Sequence, residues 1–211
     1  KVSYQVKFSR RKAKVTYKVT PGKVYVINSK FIKTSDSALY PLLDSFVSKS
    51  ELFRSWWPCN LNNLNLAKDD IAALFRDAGY FTLNSNYIRY EIDTLNDKKE
   101  AAIYLMLDKL SNGESHKKYH FGKINVNINT SSEYATNNYP SVVKKPGIVL
   151  TMNHYPLDAE ILEKVILIDS GKNFSQSKLT ITYRSLVDLG LFSSVDIRQD
   201  VDEKTHTIAL T

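Results

Sequence analysis

The side chains able to do chemistry are few, and their spacing assembles no reaction centre. The four histidines, His116, His120, His154 and His206, are scattered over strand ends and loops. No His-Glu-x-x-His pair stands on a helix to face a zinc ion. Cys59 is the single cysteine, so neither an intramolecular disulfide nor a cysteine zinc cage can form. No Gly-x-Ser-x-Gly turn and no glycine-rich phosphate loop is present, and no pair of carboxylates can be assigned to a cleft for acid–base work. Asp69 and Asp70 are expected instead to favour the positive N-terminal end of a helix. No catalytic residue, metal ligand or cofactor is therefore expected, and an enzyme is the least supported class.

Recognition chemistry is better represented. Trp56-Trp57-Pro58-Cys59 is open to two readings. Indole joins a large apolar face to one hydrogen-bond donor, which suits a partner-binding or membrane-facing anchor. The favoured alternative is a cap, a loop that folds over the helices and buries its own aromatics. Tyr134, Tyr139 and Tyr155 lie in a stretch too poor in aliphatic residues to build a core, and a contact surface is favoured there. Lys and Arg total 29 against 22 Asp and Glu, but the positive charges are interspersed with acids. Arg10-Arg11-Lys12, Lys117-Lys118 and Lys144-Lys145 suit either an anionic membrane surface or solvated turns.

Periodicity supplies the elements that must position these residues. Val2, Tyr4, Val6 and Phe8 alternate, as do Ala13, Val15, Tyr17 and Val19, giving two strands joined by a basic turn. Gly22-Lys23-Val24-Tyr25-Val26 then opens a segment that closes on Gly79-Tyr80-Phe81, and Gly122-Lys123-Ile124-Asn125-Val126 opens one that closes on Gly190-Leu191-Phe192. The first segment predicts a strand over Val24 to Ile32, a helix over Ala38 to Val47 capped by Ser35 or Asp36, and a helix over Leu66 to Ala78 ended by Gly79. Strands over Tyr87 to Ile92 and Ala101 to Leu107 follow. The second predicts strand His120 to Asn129, helix Asp158 to Ile166, helix Ser177 to Leu189 ended by Gly190, and strands over Val195 to Val201 and from Thr207. Residues 130–156 read as an inserted loop carrying one short strand at Ile148 to Met152. No apolar stretch is long enough to span a bilayer as a helix.

A β-α-α-β-β unit repeated in tandem, with a glycine-aromatic or glycine-leucine-phenylalanine step after the second helix, resembles the polypeptide-transport-associated (POTRA) domain. Such domains form the periplasmic arms of BamA-like and TamA-like outer-membrane insertases and of two-partner secretion transporters. The resemblance implies an α+β fold of tandem three-stranded mixed sheets, each covered by two helices. Residues 21–113 and 114–211 would each form one unit, and 1–20 would be the closing hairpin of a truncated preceding repeat. Long connectors at Lys49 to Asn65 and in the second copy depart from the usual pattern.

The resemblance also implies a periplasmic segment of an outer-membrane protein that receives or positions unfolded or nascent outer-membrane or secreted polypeptides, with accessory subunits docking on it. A sheet edge carries unpaired backbone groups that accept an extended segment as an added strand. The second strand is the expected edge, which makes Tyr87, Ile88, Arg89 and Tyr90 in the first copy, and Val195, Ile197, Arg198 and Val201 in the second, candidate client-binding residues. Trp56, Trp57, Tyr134 and Tyr139 are candidate partner contacts. The same edge residues are equally readable as strands that only complete the sheet. The alternative function is an α+β nucleic-acid-binding protein using its basic surface, but neither the aromatic strand of an RRM nor the Gly-x-x-Gly loop of a KH domain is present.

Overall fold

The computed structural model describes residues 1–9, 12–22, 24–95, 98–129, 139–141, 146–152 and 159–211. Arg10-Arg11, Lys144-Lys145, Tyr134, His154 and Tyr155 lie outside the described residues. β1 (Val2–Ser9) and β2 (Lys12–Val19) form an antiparallel ribbon. Its register puts Val2 opposite Val19, Tyr4 opposite Tyr17 and Val6 opposite Val15 on one face, and Ser3 opposite Lys18 and Lys7 opposite Lys14 on the other. Every described side chain of the ribbon is exposed.

The first copy runs β3 (Val26–Thr34), α1 (Tyr40–Lys49), α2 (Leu61–Asp77), β4 (Ile88–Leu95) and β5 (Glu100–Leu107). β5 lies between β3, to which it is parallel, and β4, to which it is antiparallel. The central strand must bury one whole face, and the alternation does so: Ala101, Ile103, Leu105 and Leu107 are buried, the last three in one core with Leu39, Leu43, Leu64, Ile71 and Phe75 of the helical layer. Asp36 turns the chain by accepting the Ala38 N–H at 3.2 Å, yet the helix begins only at Tyr40 and has no side-chain cap. Pro41, which lacks an N–H to leave unpaired, occupies its first turn. α2 starts five residues earlier than its periodicity suggests, because Asn60 accepts the Asn62 N–H at 2.8 Å and nucleates an asparagine-rich first turn of low intrinsic propensity. Asp69 and Asp70 consequently sit in mid-helix, where the expected charge–dipole role does not apply.

The second copy comprises β6 (His120–Ile128), β7 (Tyr139–Ser141), β8 (Ile148–Met152), α3 (Ala159–Val165), α4 (Gln176–Asp188), β9 (Gln199–Asp202) and β10 (Thr207–Leu210). Its sheet has five strands in the order β7-β8-β6-β10-β9, so the expected three-stranded sheet is corrected here. β6, β10 and β9 reproduce the first copy's β3, β5 and β4, and the insertion adds β8 parallel to β6 and β7 antiparallel to β8. Ile148 and Leu150 join the core of Phe121, Leu162, Phe174 and Ile208.

Gly79 and Gly190 both take positive φ, 104° and 65°, and end their helices as expected. The matching openings do not superimpose. Gly22 precedes β3, whereas Gly122 lies inside β6. The structural match is set by a bulge: the ladder shifts after Ile27/Ala101 in one copy and after Phe121/Ile208 in the other.

Candidate functional site

The second strand of each copy stands at a sheet edge. β4 pairs only with β5, and β9 only with β10, among the described residues. Ile88 is buried in the core, Arg89 and Ile92 face solvent, and Tyr90 rests under the Lys68 ammonium, 5.6 Å from its ring centre. Burial pushes the Tyr90 phenol well up from its ordinary value. Arg89 grips Asp108 with two nitrogens, Nη2 at 2.8 Å and Nε closer still. The guanidinium hydrogen bond holds the Asp108 carboxyl below the usual carboxylate range. Tyr87 is outside the strand, in a short 3-10 turn Ser85–Tyr87, with its ring edge-on to buried His116 at 4.7 Å.

β9 is shorter than the expected Val195 to Val201. Val195 and Ile197 precede it and are half-buried, with Ile197 packed on the core. Arg198 still exchanges two backbone hydrogen bonds with Thr211, at 2.7 and 3.0 Å, and Val201 lies within the strand opposite Ile208. The β9–β10 turn is fixed by Asp202, which accepts from the Thr205 hydroxyl at 2.7 Å and the Lys204 N–H at 2.9 Å; those bonds lower its carboxyl pKa.

The tryptophan connector is corrected in detail. Phe53, before it, is fully buried, but Trp56 is 66% and Trp57 44% exposed, so the loop does not bury its own indoles. Its backbone pairs along the start of β3: Ile27 donates to the Trp57 carbonyl at 2.9 Å, Trp56 donates to the Ile27 carbonyl at 2.7 Å, and Cys59 donates to the Tyr25 carbonyl at 2.8 Å. The second copy repeats this with Phe121 donating to Lys172, Gly171 to Phe121 and Phe174 to Tyr119. Pro58 bridges Val26 as Asn173 bridges His120. Trp56 thus occupies the position of Gly171, and both are left-handed, at φ 64° and 79°. Desolvation raises the pKa of half-buried Cys59, which marks a packing residue. Tyr139 lies in β7.

A joint between the copies escaped sequence reading. Asp77, at the end of α2, accepts from the Ser175 hydroxyl, the Ser177 N–H at 2.7 Å and the Ser177 hydroxyl, so one copy's carboxylate caps the next copy's helix. Arg76 donates to the Gln176 side chain at 2.6 Å. Tyr80 enters its own core, but Phe81 packs on Tyr119 and Phe174 of the second, with centroids 5.5 and 5.0 Å away. The Asn112-Gly113 step is a closed turn, and His116 pins the linker by its Nε2 contact with the Asp108 carbonyl at 3.0 Å.

The sequence matches no family model and no curated relative. The structure matches POTRA3-5 of BamA from Haemophilus influenzae over 100% of this chain and 68% of that one, at TM-score 0.55 and 16% identity. It also matches BamA from Haemophilus ducreyi lacking POTRA domains 1-3, over 88% of this chain and 28% of that one, at TM-score 0.57 and 11% identity. The fold is that of tandem POTRA domains.

Proposed function

We propose that this chain is a periplasmic segment of an outer-membrane β-barrel assembly or secretion protein, and that it receives or positions client polypeptides without chemistry of its own. The observation that supports the reading most is the pair of sheet edges, β4 and β9, in consecutive POTRA-fold units. Each presents backbone groups to which an extended client adds as a strand with little demand on its sequence. Accessory subunits dock on the exposed indoles of Trp56 and Trp57, with Tyr134 and Tyr139 as further candidate contacts. The β1–β2 ribbon, apolar on one face as a closing hairpin is, completes a repeat of the same kind.

The test is photocrosslinking in the cell envelope of the full-length protein, with the probe at Glu91 on β4 or Asp200 on β9. Adducts with unfolded outer-membrane or secreted chains, recovered with the outer membrane, are the expected result. A folded protein in that fraction with no adduct at either edge refutes the client role.

A further inference from the structure

We propose that the outer edge of β3, over Lys30–Thr34, is a second acceptor in the first copy, taking an extended apolar client segment in parallel orientation with its leading glycine beside Trp56. The inference rests on the strand-addition reading above and names for it an edge other than β4 and β9.

The second copy shows the occupied form of this edge. β8 lies along β6 in parallel register, Ile124 opposite Ile148 through Ile128 opposite Met152, and the Ile124 N–H reaches the Gly147 carbonyl at 3.0 Å. After the shared bulge, Lys30 stands opposite Ile103 as Ile124 stands opposite Leu210. Lys30–Thr34 is therefore the counterpart of Ile124–Ile128, and among the described residues no strand pairs with its outer side. Side-chain face and N–H direction alternate together along a strand. The Lys30 side chain turns toward the helices, as Ile124 turns into the core, so the backbone groups of Lys30 and Ile32 point outward.

The surroundings define the occupant. An added strand alternates its side chains between the solvent face, where half-exposed Phe31 stacks on Tyr104 at 5.0 Å, and the helix face, lined by Ile32 and the Lys30 stem. The Lys30 ammonium is drawn aside to the carbonyls of Val47, at 3.0 Å, and Phe53, at 3.4 Å, where the end of α1 favours positive charge. Lysine in place of isoleucine withholds apolar contact from the incoming strand, which makes capture weaker and reversible. At the entry, Gly147 runs so close to Ser170 that a Cβ there would come within 2.3 Å of the serine Cβ. The equivalents of Ser170 and Gly171 are Ser55 and Trp56. An exposed indole held in a glycine-type conformation is a strained feature of the sort that function retains. The preferred segment is a glycine followed by about five apolar or β-branched residues, the length that β8 shows.

The probe is a synthetic peptide of residues 146–152, Pro-Gly-Ile-Val-Leu-Thr-Met, added to the intact chain. Binding is followed by tryptophan emission and backbone amide NMR. Trp56 and Trp57 are the two tryptophans of the chain, so emission reports on this entry alone. A saturable emission change, amide shifts over Lys30–Thr34, and no response to a peptide carrying Leu150→Pro are expected. Lys30→Ile should tighten binding several-fold and Trp56→Gly should weaken it several-fold. Shifts confined to β4, β9 or β6 overturn this assignment and leave strand addition standing; no shift at any edge overturns both.

Discussion

The two copies differ most at one shared position, the outer edge of the first strand. In the second copy the edge is filled by the chain's own β8, and Ile124, Ile148 and Leu150 are buried beside it. In the first, a lysine stands for the isoleucine, and among the described residues the Trp56–Cys59 connector alone covers the strand's outer side, at its beginning. The connector hydrogen bonds and the helix-ending glycines agree between copies. A shared framework has thus been closed by insertion in one unit and, among the described residues, left open in the other.

The largest effect that tests this equivalence comes from Phe174, which is fully buried and corresponds to half-buried Cys59. Phe174→Ala should cost about 3–5 kcal/mol and Cys59→Ala about 1 kcal/mol or less, because cavity formation scales with what the site has closed around. Urea unfolding with the two copies resolved by amide NMR checks the pair, and equal costs would break the comparison. Next is the joint. Asp77→Ala removes three acceptor contacts at the start of α4 and should lower stability of the second copy by about 1 kcal/mol. Spin-label distances between α1 and β9 should broaden at the same time; an unchanged distribution would show that Phe81 packing and the Arg76–Gln176 bond fix the angle without Asp77.

A smaller effect of opposite sign is expected at the connector. Trp56→Gly supplies the residue that the second copy uses at the same positive φ. Relief of left-handed strain should raise the first copy's stability by up to about 1 kcal/mol. Thermal denaturation of that unit measures it, and a loss of stability would show that the indole is held by packing despite its exposure.

Much of this framework was legible in the sequence, for reasons the two copies make plain. β5 and the helices announce themselves because one-sided burial imposes alternation on Ala101–Leu107 and a 3.6-residue period on Leu64–Phe75. Gly79 and Gly190 mark helix ends because left-handed residues have few substitutes. β8 was readable as a strand from Ile148 to Met152, but pairing is non-local, so its place beside β6 was not. Nor was the joint: Phe81 looks like any core aromatic following Tyr80, and only the fold sends the two rings to different cores. The Gly-Lys openings misled because recurrence of residue type says nothing about register. Of the candidate edge residues, those whose side chains alternate within β4 were placed well, whereas Val195 and Ile197 fell before β9 because half-buried coil and strand share the same apolar spacing.

The smallest expected effect separates the β4 and β9 sheet edges by pH. Asp108 is held on β5's exit by Arg89 of β4, and its carboxyl titrates below the usual range because the guanidinium hydrogen bond favours the charged form. A carboxylate whose folded pKa lies below its unfolded value adds stability above the unfolded pKa and loses it as pH falls through the folded one. Arg89 is largely exposed and Asp108 partly so, and solvent screening keeps the contribution slight. Urea midpoints followed by the first copy's amides should therefore decline as pH falls from about 5 toward about 2, and Arg89→Gln should flatten that decline. In the second copy Asp202 is lowered instead by local hydrogen bonds from Thr205 and Lys204. Its acid sensitivity should survive Arg89→Gln unchanged, and a parallel flattening in both copies would mean that the joint couples their unfolding.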